Sequence, residues 1–356
     1  MMMTTLLCAL GLPAAFVLIR RVPTCPPAQP HTETHFSIVI PARNEEQNLP
    51  RLLASIANSA TRPAEVLVID DASTDNTAPV AVSFGAQVLM SAPLPTGWTG
   101  KSWACQQGAQ RAIGDLLLFL DADTYFVSGG LDYLIACWLR ERDHRFVISL
   151  LPYHEMTDAY EQLSLVFNLL MAAGAGGFGA AAPRLFGQSL LITKETYLAA
   201  GGHSAIRGIV LENLRFAAML RDTGARIRCF GGLGTLHMRM FPEGFRQMSE
   251  SWAKAFNQGA ADSGVPVLAS AIVWISALWS TTLLLAAPCS YDRPILAVLY
   301  LLLGVHLAWI ARQLGSYRLL TSLLYPLPLA YYCFVFGRSA ARHALHRKTV
   351  WRGREV

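Results

Sequence analysis

The sequence predicts an α/β fold, a mainly parallel sheet domain flanked by transmembrane helices. Short apolar, β-branched runs alternate with helical patterns between residues 36 and 124. Three of these runs end in acidic or polar clusters, and both ends of the chain are far more apolar than its middle. Strands alternating with helices imply a mostly parallel sheet covered on both faces. Ligands of such sheets bind beyond the carboxyl ends of the strands.

Residues 1–22 carry no charge before Arg20 and Arg21. A cleaved signal peptide puts its basic residues ahead of the apolar run, so this segment reads as an uncleaved anchor. Its charge bias places the N-terminus outside and the following domain in the cytoplasm. Residues 23–35, with four prolines from Pro23 to Pro30, form an extended linker. Phe36–Ile40 is the first buried strand, followed by Pro41 and a helix starting near Asn44, with Asn44 as N-cap and Glu45 and Glu46 in its first turn. Glu65–Asp70 is the second strand, ended by Asp71-Ala-Ser-Thr-Asp-Asn-Thr77. Ala86–Met90 is the third, and Asp115–Leu120 is the fourth, leading directly into Asp121-Ala-Asp123.

The central domain is expected over residues 36–262, with a first half to about 124 and a second half from about 125. Within the second half, residues 163–182 turn from apolar to Gly/Ala-rich. Glycine weakens a helix, so a core or interfacial segment is favoured there over a membrane span. Residues 263–337 hold two to three apolar spans, near 265–287, 294–311 and 319–337. Pro326 and Pro328 sit inside the last, which therefore reads as re-entrant or interfacial. The tail 338–356 carries six Lys/Arg against Glu355, a charge that favours the cytoplasmic side. Together these features predict a multi-pass protein of the plasma membrane.

Composition narrows the function. Hydrophobic residues make up 53% and charged residues 15%, too apolar for an ordinary soluble enzyme. The seven cysteines include no C-x-x-C pair, which disfavours a zinc site or a disulfide framework. The net charge of +5 comes largely from the tail and suits anionic lipid headgroups better than nucleic acid. No G-x-G-x-x-G follows the first strand, and Gly97-Trp-Thr-Gly-Lys-Ser102 lacks the spacing of a triphosphatase P-loop.

The acidic clusters carry the chemistry. Asp121 and Asp123, just past a buried strand, supply hard oxygen ligands for Mg²⁺ or Mn²⁺, which typically bridge carboxylates and substrate phosphates. Such an ion offsets the charge that grows on a nucleoside diphosphate leaving group. Asp70 and Asp71 can accept hydrogen bonds from a uracil N–H or ribose hydroxyls, and equally can shape the turn before Ser73. Lys101 is suited to a phosphate.

These residues together resemble the family-2 glycosyltransferases of GT-A fold. Ile38-Val-Ile-Pro-Ala-Arg-Asn-Glu45 is similar to that family's opening strand, and Val68–Thr77 to its second nucleotide-binding element. Gly100-Lys101 and Phe119-Leu-Asp-Ala-Asp123 are similar to its lysine loop and metal motif. A narrower resemblance, to membrane-bound glycosyltransferases of carotenoid and hopanoid pathways, is carried by Gly97–Ala109, Phe186–Ile192, Gly201-Gly-His203 and Met240–Phe245, ahead of Trp252.

The resemblance implies a UDP-sugar donor, with glucose as the expected sugar, bound by Pro41, Glu45, Asp70, Asp71, Lys101 and Asp121. It implies a metal on Asp121 and Asp123, a lipophilic isoprenoid acceptor in the bilayer, and inversion at the anomeric carbon. On the acceptor side it points to Gln188, His203, Asn213 and Trp252. His203 is either a contact to a donor phosphate or a turn histidine without a catalytic role. Trp252 and Lys254 suit a bilayer interface.

The chain departs from the family at Glu212-Asn213, where Asn213 stands in place of an expected Asp. Asn cannot take a proton, which leaves Glu212 as the base beside Asp123 in the catalytic set. A carboxylate acceptor is already ionised at neutral pH and needs no base. The Q-x-x-R-W string of processive synthases is absent, against chain synthesis. Alternative acceptors are a glycerolipid, a sphingolipid or a polyprenyl phosphate. Asn213 also suggests a rival of another class, a catalytically inactive, membrane-bound nucleotide-sugar-binding protein.

Overall fold

The structure is a computed structural model, and it describes every residue except 1, 32–33, 142, 175–177, 179–183, 210–211, 260–264, 288–292, 345–349, 352–353 and 356. The chain divides into two compact units, one of residues 23–154 with 178–239 and one of residues 1–22, 155–177 and 240–356. Residues 155–177 and 240–259, which the sequence groups with the central domain, thus cluster with the terminal helices.

The first unit is the α/β unit. Its strands are β1 (Phe36–Ala42), β2 (Glu65–Asp70), β3 (Gln87–Met90), β4 (Leu116–Leu120), β5 (Thr124–Phe126), β6 (Phe146–Leu151), β7 (Tyr153–His154), β8 (Ser189–Thr193), β9 (Arg226–Gly231) and β10 (Leu236–Met238). Seven of them form one sheet in the order β3-β2-β1-β4-β8-β6-β9. The pairs β1–β2, β1–β4, β2–β3 and β6–β9 are parallel. The sheet is mixed because β8 runs antiparallel to both β4 and β6. A smaller sheet, β5-β10-β7, follows the acidic segment after β4.

The central strands are buried as the sequence requires. Ile38, Val39 and Ile40 are all fully buried, as expected of a parallel strand covered on both faces. Burying each such side chain stabilises the fold by about 1.5–3 kcal/mol. The helices of this unit are α2 (Leu49–Ala57), α3 (Thr77–Ser83), α4 (Gly100–Arg111), α5 (Gly130–Leu139), α7 (Lys194–Ala199) and α8 (Glu212–Asp222). Leu49, Leu52, Leu53 and Ile56 of α2 make a buried stripe at helical spacing.

One boundary differs from the sequence reading. Asn44 does not cap α2, which starts at Leu49 with Asn48 before it. Asn44 instead takes a left-handed conformation, φ +55°, and its side-chain oxygen accepts the backbone N–H of Thr74 at 2.8 Å. Its short polar side chain serves a neighbouring loop in preference to a helix end.

The second unit holds α1 (Met2–Leu18), a 3₁₀ turn (Ala159–Ser164), α6 (Leu165–Gly174), α9 (Phe245–Gly259), α10 (Val265–Ala286), α11 (Arg293–Leu314), α12 (Leu319–Leu323) and α13 (Pro326–Ala344). Among the described residues, α10 and α11 are long and apolar enough to cross a membrane, with 22 residues each and mean hydropathies of 1.8 and 2.1. The third apolar stretch is broken between α12 and α13. Pro326 lies at the first position of α13, where its missing N–H costs no helical hydrogen bond. Leu165, Val166, Phe167 and Leu169 of α6 are buried, which fits a core segment. The Gly/Ala-rich stretch beyond it falls largely outside the described residues.

Candidate active site

Three strand ends and one helix start bring the site together in the α/β unit. β1 pairs with β4 only as far as Val39–Phe119. Two residues on, Pro41 has no N–H to offer, so the two strands part at their carboxyl ends. Pro41, Phe119, Leu120 and Asp121 line the pocket at this point. Across it stand Lys101, Ser102 and Cys105 from the start of α4, and Leu185, Phe186 and Gly187 from the segment before β8. His203, Asn213 and Phe216 complete the wall.

Thr99 caps α4 by accepting the N–H of Ser102, so Lys101 lies in the first helical turn rather than in a loop. Its ammonium contacts Asp121 Oδ1 at 2.6 Å and donates to the Gly187 carbonyl at 2.8 Å. The backbone N–H of Asp121 donates to the carbonyl of Gln188 at 3.0 Å, which ties the acidic segment to the turn before β8. Gln188 therefore acts here through its backbone. Asn213 packs against the same turn: a Cβ on Gly187 would come within 2.8 Å of Asn213 Nδ2.

Asp123 is the least compensated acid of the site. Its Oδ1 is buried and has no hydrogen-bond partner. Burial, then the negative charges of Asp121 and Glu45, push its carboxyl up to about 7, and Lys101 only partly opposes them. An unsatisfied buried carboxylate beside two other acids is the environment a divalent cation relieves. Among the described residues no group of three His, Cys, Asp or Glu side chains is placed to hold a metal ion by itself. A cation at Asp121 and Asp123 would therefore take further ligands from outside the protein, as Mg²⁺ does from water and phosphate. The residues fit such an ion.

The ends of β1 and β2 form a second acidic region. Asp70 is buried, and its Oδ1 accepts the N–H of Ser73 at 2.9 Å. Asp71 meets the Arg43 guanidinium at 3.4 Å, and its own N–H donates to the Ala42 carbonyl. Glu45 accepts from the Asn48 amide at 2.8 Å, and its backbone N–H donates to Thr77 Oγ1. The sequence grouped these acids as nucleotide contacts; the structure brings them to the same edge of the sheet.

His203 follows two glycines in left-handed conformation, and its ring sits against Tyr197 and Phe119. Its Nδ1 lies 2.8 Å from the Tyr197 hydroxyl. Burial, then the nearby Lys101 charge, lower its pKa to about 3, so the ring is neutral and offers no cation to a phosphate. Gln106, inside the Gly97–Ala109 string, and Tyr197, which carried no signal in the sequence, hold this ring; they meet it only through the packing of α4 on the turn after α7.

One expected residue stands elsewhere. Trp252 belongs to the other unit, where it is buried, stacks on Phe167 at 4.7 Å and donates its indole N–H to Ser164 Oγ at 3.1 Å. Its ring packs a core instead of lying exposed at an interface. Glu212 is the first residue of α8, next to the pocket-lining Asn213, and the side chains of Glu212 and Lys254 lie outside the described residues.

The model of the family described as Glycosyl transferase family 2 matches residues 37–212, a range that holds the carboxyl ends of β1, β2 and β4 with Glu45, Asp70, Asp71, Lys101, Asp121 and Asp123. The chain is a family-2 glycosyltransferase. It is 29% identical over 328 residues to the 4,4'-diaponeurosporenoate glycosyltransferase of Staphylococcus aureus (strain USA300), an alignment covering 90% of this chain and 87% of that one. Among solved structures, the mannosyltransferase PcManGT from Pyrobaculum calidifontis, in complex with GDP-Man and Mn²⁺, aligns with a TM-score of 0.50 and 15% identity. That alignment covers 96% of this chain and 100% of the other, and it shows the GT-A fold. The glucosyl-3-phosphoglycerate synthase from Mycobacterium tuberculosis, in complex with Mn²⁺, UDP and its product, aligns at 0.45 with 19% identity, over 69% of this chain and 89% of that one.

In the glycosyltransferase the lysine and metal motifs named from sequence do converge. Lys101 and Asp121 are in direct contact, and Asp123 lies two residues on with its buried oxygen unpaired.

Proposed function

We propose that this glycosyltransferase transfers a sugar, glucose by preference, from a UDP-sugar to a lipophilic membrane acceptor of carotenoid or isoprenoid type, with inversion. The observation that carries the donor half is the buried, unpartnered Asp123 oxygen beside Asp121 and Lys101. Asp121 and Asp123 would hold Mg²⁺ or Mn²⁺. When bound, the cation offsets the charge that builds on the diphosphate as the sugar bond breaks.

The protein's own residues do the rest. Lys101 leaves its contact with Asp121 for a phosphate oxygen, which frees that carboxylate for the cation. Asp70 and Asp71 accept from the nucleoside, and Pro41 and Glu45 border it. Glu212 takes the proton of a hydroxyl nucleophile, held in place by α8. With a carboxylate nucleophile that step is unnecessary. Gln188 and Asn213, both next to Gly187, border the acceptor entrance.

The acceptor half rests on the apolar helices α10 and α11 and on the carotenoid substrate in the name of the S. aureus relative. The same features support a plasma-membrane location, and the basic tail supports a catalytic unit facing the cytoplasm. The test uses the full chain in detergent with UDP-glucose, Mn²⁺ and a membrane lipid extract. The expected result is metal-dependent UDP release that lipid stimulates, with a new hexosyl lipid. UDP binding without release from any of several donors contradicts the reading and leaves a nucleotide-sugar-binding protein.

A further inference from the structure

His203 stands on a turn shaped around it. Gly201 and Gly202 take φ of +79° and +57°, a conformation glycine adopts at little cost. A Cβ on Gly202 would come within 2.7 Å of the Tyr197 ring and 2.9 Å of Gln106 Oε1. The backbone can therefore lay the following histidine across both residues only if position 202 has no side chain. Phe119, Tyr197 and Phe216 surround the imidazole, with ring centroids 5.3, 5.6 and 5.4 Å away.

The hydrogen bonds fix where the imidazole proton sits. Tyr197 Oη has three neighbours: Gln106 Oε1 at 3.1 Å, the His203 backbone N–H at 3.1 Å, and His203 Nδ1 at 2.8 Å. Gln106 Oε1 also accepts the Ser204 N–H at 3.2 Å, so the oxygen end of that amide faces the cluster. A backbone N–H only donates and an amide oxygen only accepts. The one hydroxyl hydrogen of Tyr197 must then go to Gln106, and one of its lone pairs accepts from the His203 backbone. Its remaining lone pair requires a donor, which makes Nδ1 the protonated nitrogen. The lone pair of the ring is thereby left on Nε2, which has no partner among the described residues. The ring lines the same pocket as Lys101, Asp121 and Asn213.

We propose that His203 Nε2 accepts a hydrogen bond from one hydroxyl of the donor sugar, so that the Gln106–Tyr197–His203 chain selects a sugar hydroxylated at that position. The inference rests on the donor reading above and deepens it. A neutral acceptor nitrogen suits an O–H and repels an anionic oxygen, so phosphate falls to Lys101 and the sugar ring to His203. Gln106 and Tyr197 are positioning residues: they touch no substrate but hold the tautomer.

The test uses the full chain in detergent with Mn²⁺, titrated by calorimetry with UDP, UDP-glucose and the four monodeoxy UDP-glucoses. The protein is expected to bind UDP-glucose more tightly than UDP, and to lose about tenfold with one deoxy analogue, the scale of one hydrogen bond to a site built for it. His203→Ala is expected to bind UDP unchanged, to lose that tenfold on UDP-glucose, and to stop distinguishing that analogue. His203→Gln, which keeps an acceptor oxygen, is expected to restore part of the preference. ¹⁵N NMR of the unmodified protein should find the His203 proton on Nδ1, and Tyr197→Phe should shift it toward Nε2 and weaken the preference. The inference is overturned if His203→Ala keeps the original ranking of analogues, if UDP-glucose binds no better than UDP, or if the proton already sits on Nε2. A protein that does not bind UDP at all would instead overturn the donor reading beneath it.

Discussion

Two acidic regions leave the same edge of the sheet, and they treat their carboxylates in opposite ways. The loops after β1 and β2 close on each other. Asp75 accepts from the Thr77 hydroxyl and the backbone N–H groups of Thr77 and Glu46, while Glu46 accepts from the N–H and amide of Asn76. Burial opposes the charge on Asp75, yet the bonds from Thr77 and Glu46 prevail and lower its pKa. Asn44 and Ala72 hold left-handed backbone at φ +55° within this strapped pair. After β4 the opposite holds: Asp123, half-buried beside like charges, has a buried oxygen left unpaired. An acid cluster satisfied by its own loop is architecture; one left unsatisfied implies a ligand.

Substitutions in the two regions should therefore separate activity from stability. The largest effect is expected at Asp123→Asn, with kcat/KM falling by about a thousandfold or more as the cation loses its ligand, measured by UDP release with saturating Mn²⁺. Lys101→Met should come next, weakening UDP binding by about ten- to a hundredfold in calorimetry, because a charge-assisted contact to phosphate is lost. Asp75→Ala should reverse the pattern. It is expected to destabilise the protein by about 1–3 kcal/mol in denaturant titration while the Kd for Mn²⁺ in the presence of UDP stays nearly constant. Loss of Mn²⁺ affinity in Asp75→Ala, with stability unchanged, would contradict the division between the loops.

The smallest expected effect is the dependence of stability on pH. Asp123 titrates near 3.8 when unfolded and at about 7 in the fold, so the folded state holds the proton more tightly. Stability from this group is thus lost as pH rises from about 4 to about 7 and stays low above that. Metal-free Asp123→Asn should have a higher Tm than the parent at pH 8, and the gain should shrink toward pH 4. A gain that instead grew on acidification would contradict the burial of an uncompensated carboxylate.

The sequence carried the strands and the acids at their ends because both are local signals. A buried apolar run such as Leu116–Leu120 and a D-x-D string are each contained in a few adjacent residues. Strand direction is not local in this way: Ser189–Thr193 has the same apolar character as its neighbours, yet runs antiparallel between β4 and β6. Asn44 read as a helix cap because the partner that claims its side chain, Thr74, lies thirty residues away. Trp252 shows the same limit, since an aromatic residue beside a lysine looks alike whether it meets lipid or packs on Phe167. The chain of Gln106, Tyr197 and His203 joins residues 91 positions apart, and the sequence marked its two ends, in Gly97–Ala109 and Gly201-Gly-His203, without the Tyr197 that links them.

The central claim is that the unsatisfied loop after β4 is completed by a cation and a nucleoside diphosphate together. Its most direct test is Mn²⁺ affinity of the full chain with and without UDP, followed by the spectrum of bound Mn²⁺. UDP should tighten Mn²⁺ binding at least tenfold in the parent and leave it unchanged in Asp123→Asn. Equal Mn²⁺ affinity with and without UDP, or equal tightening in Asp123→Asn, would contradict the account.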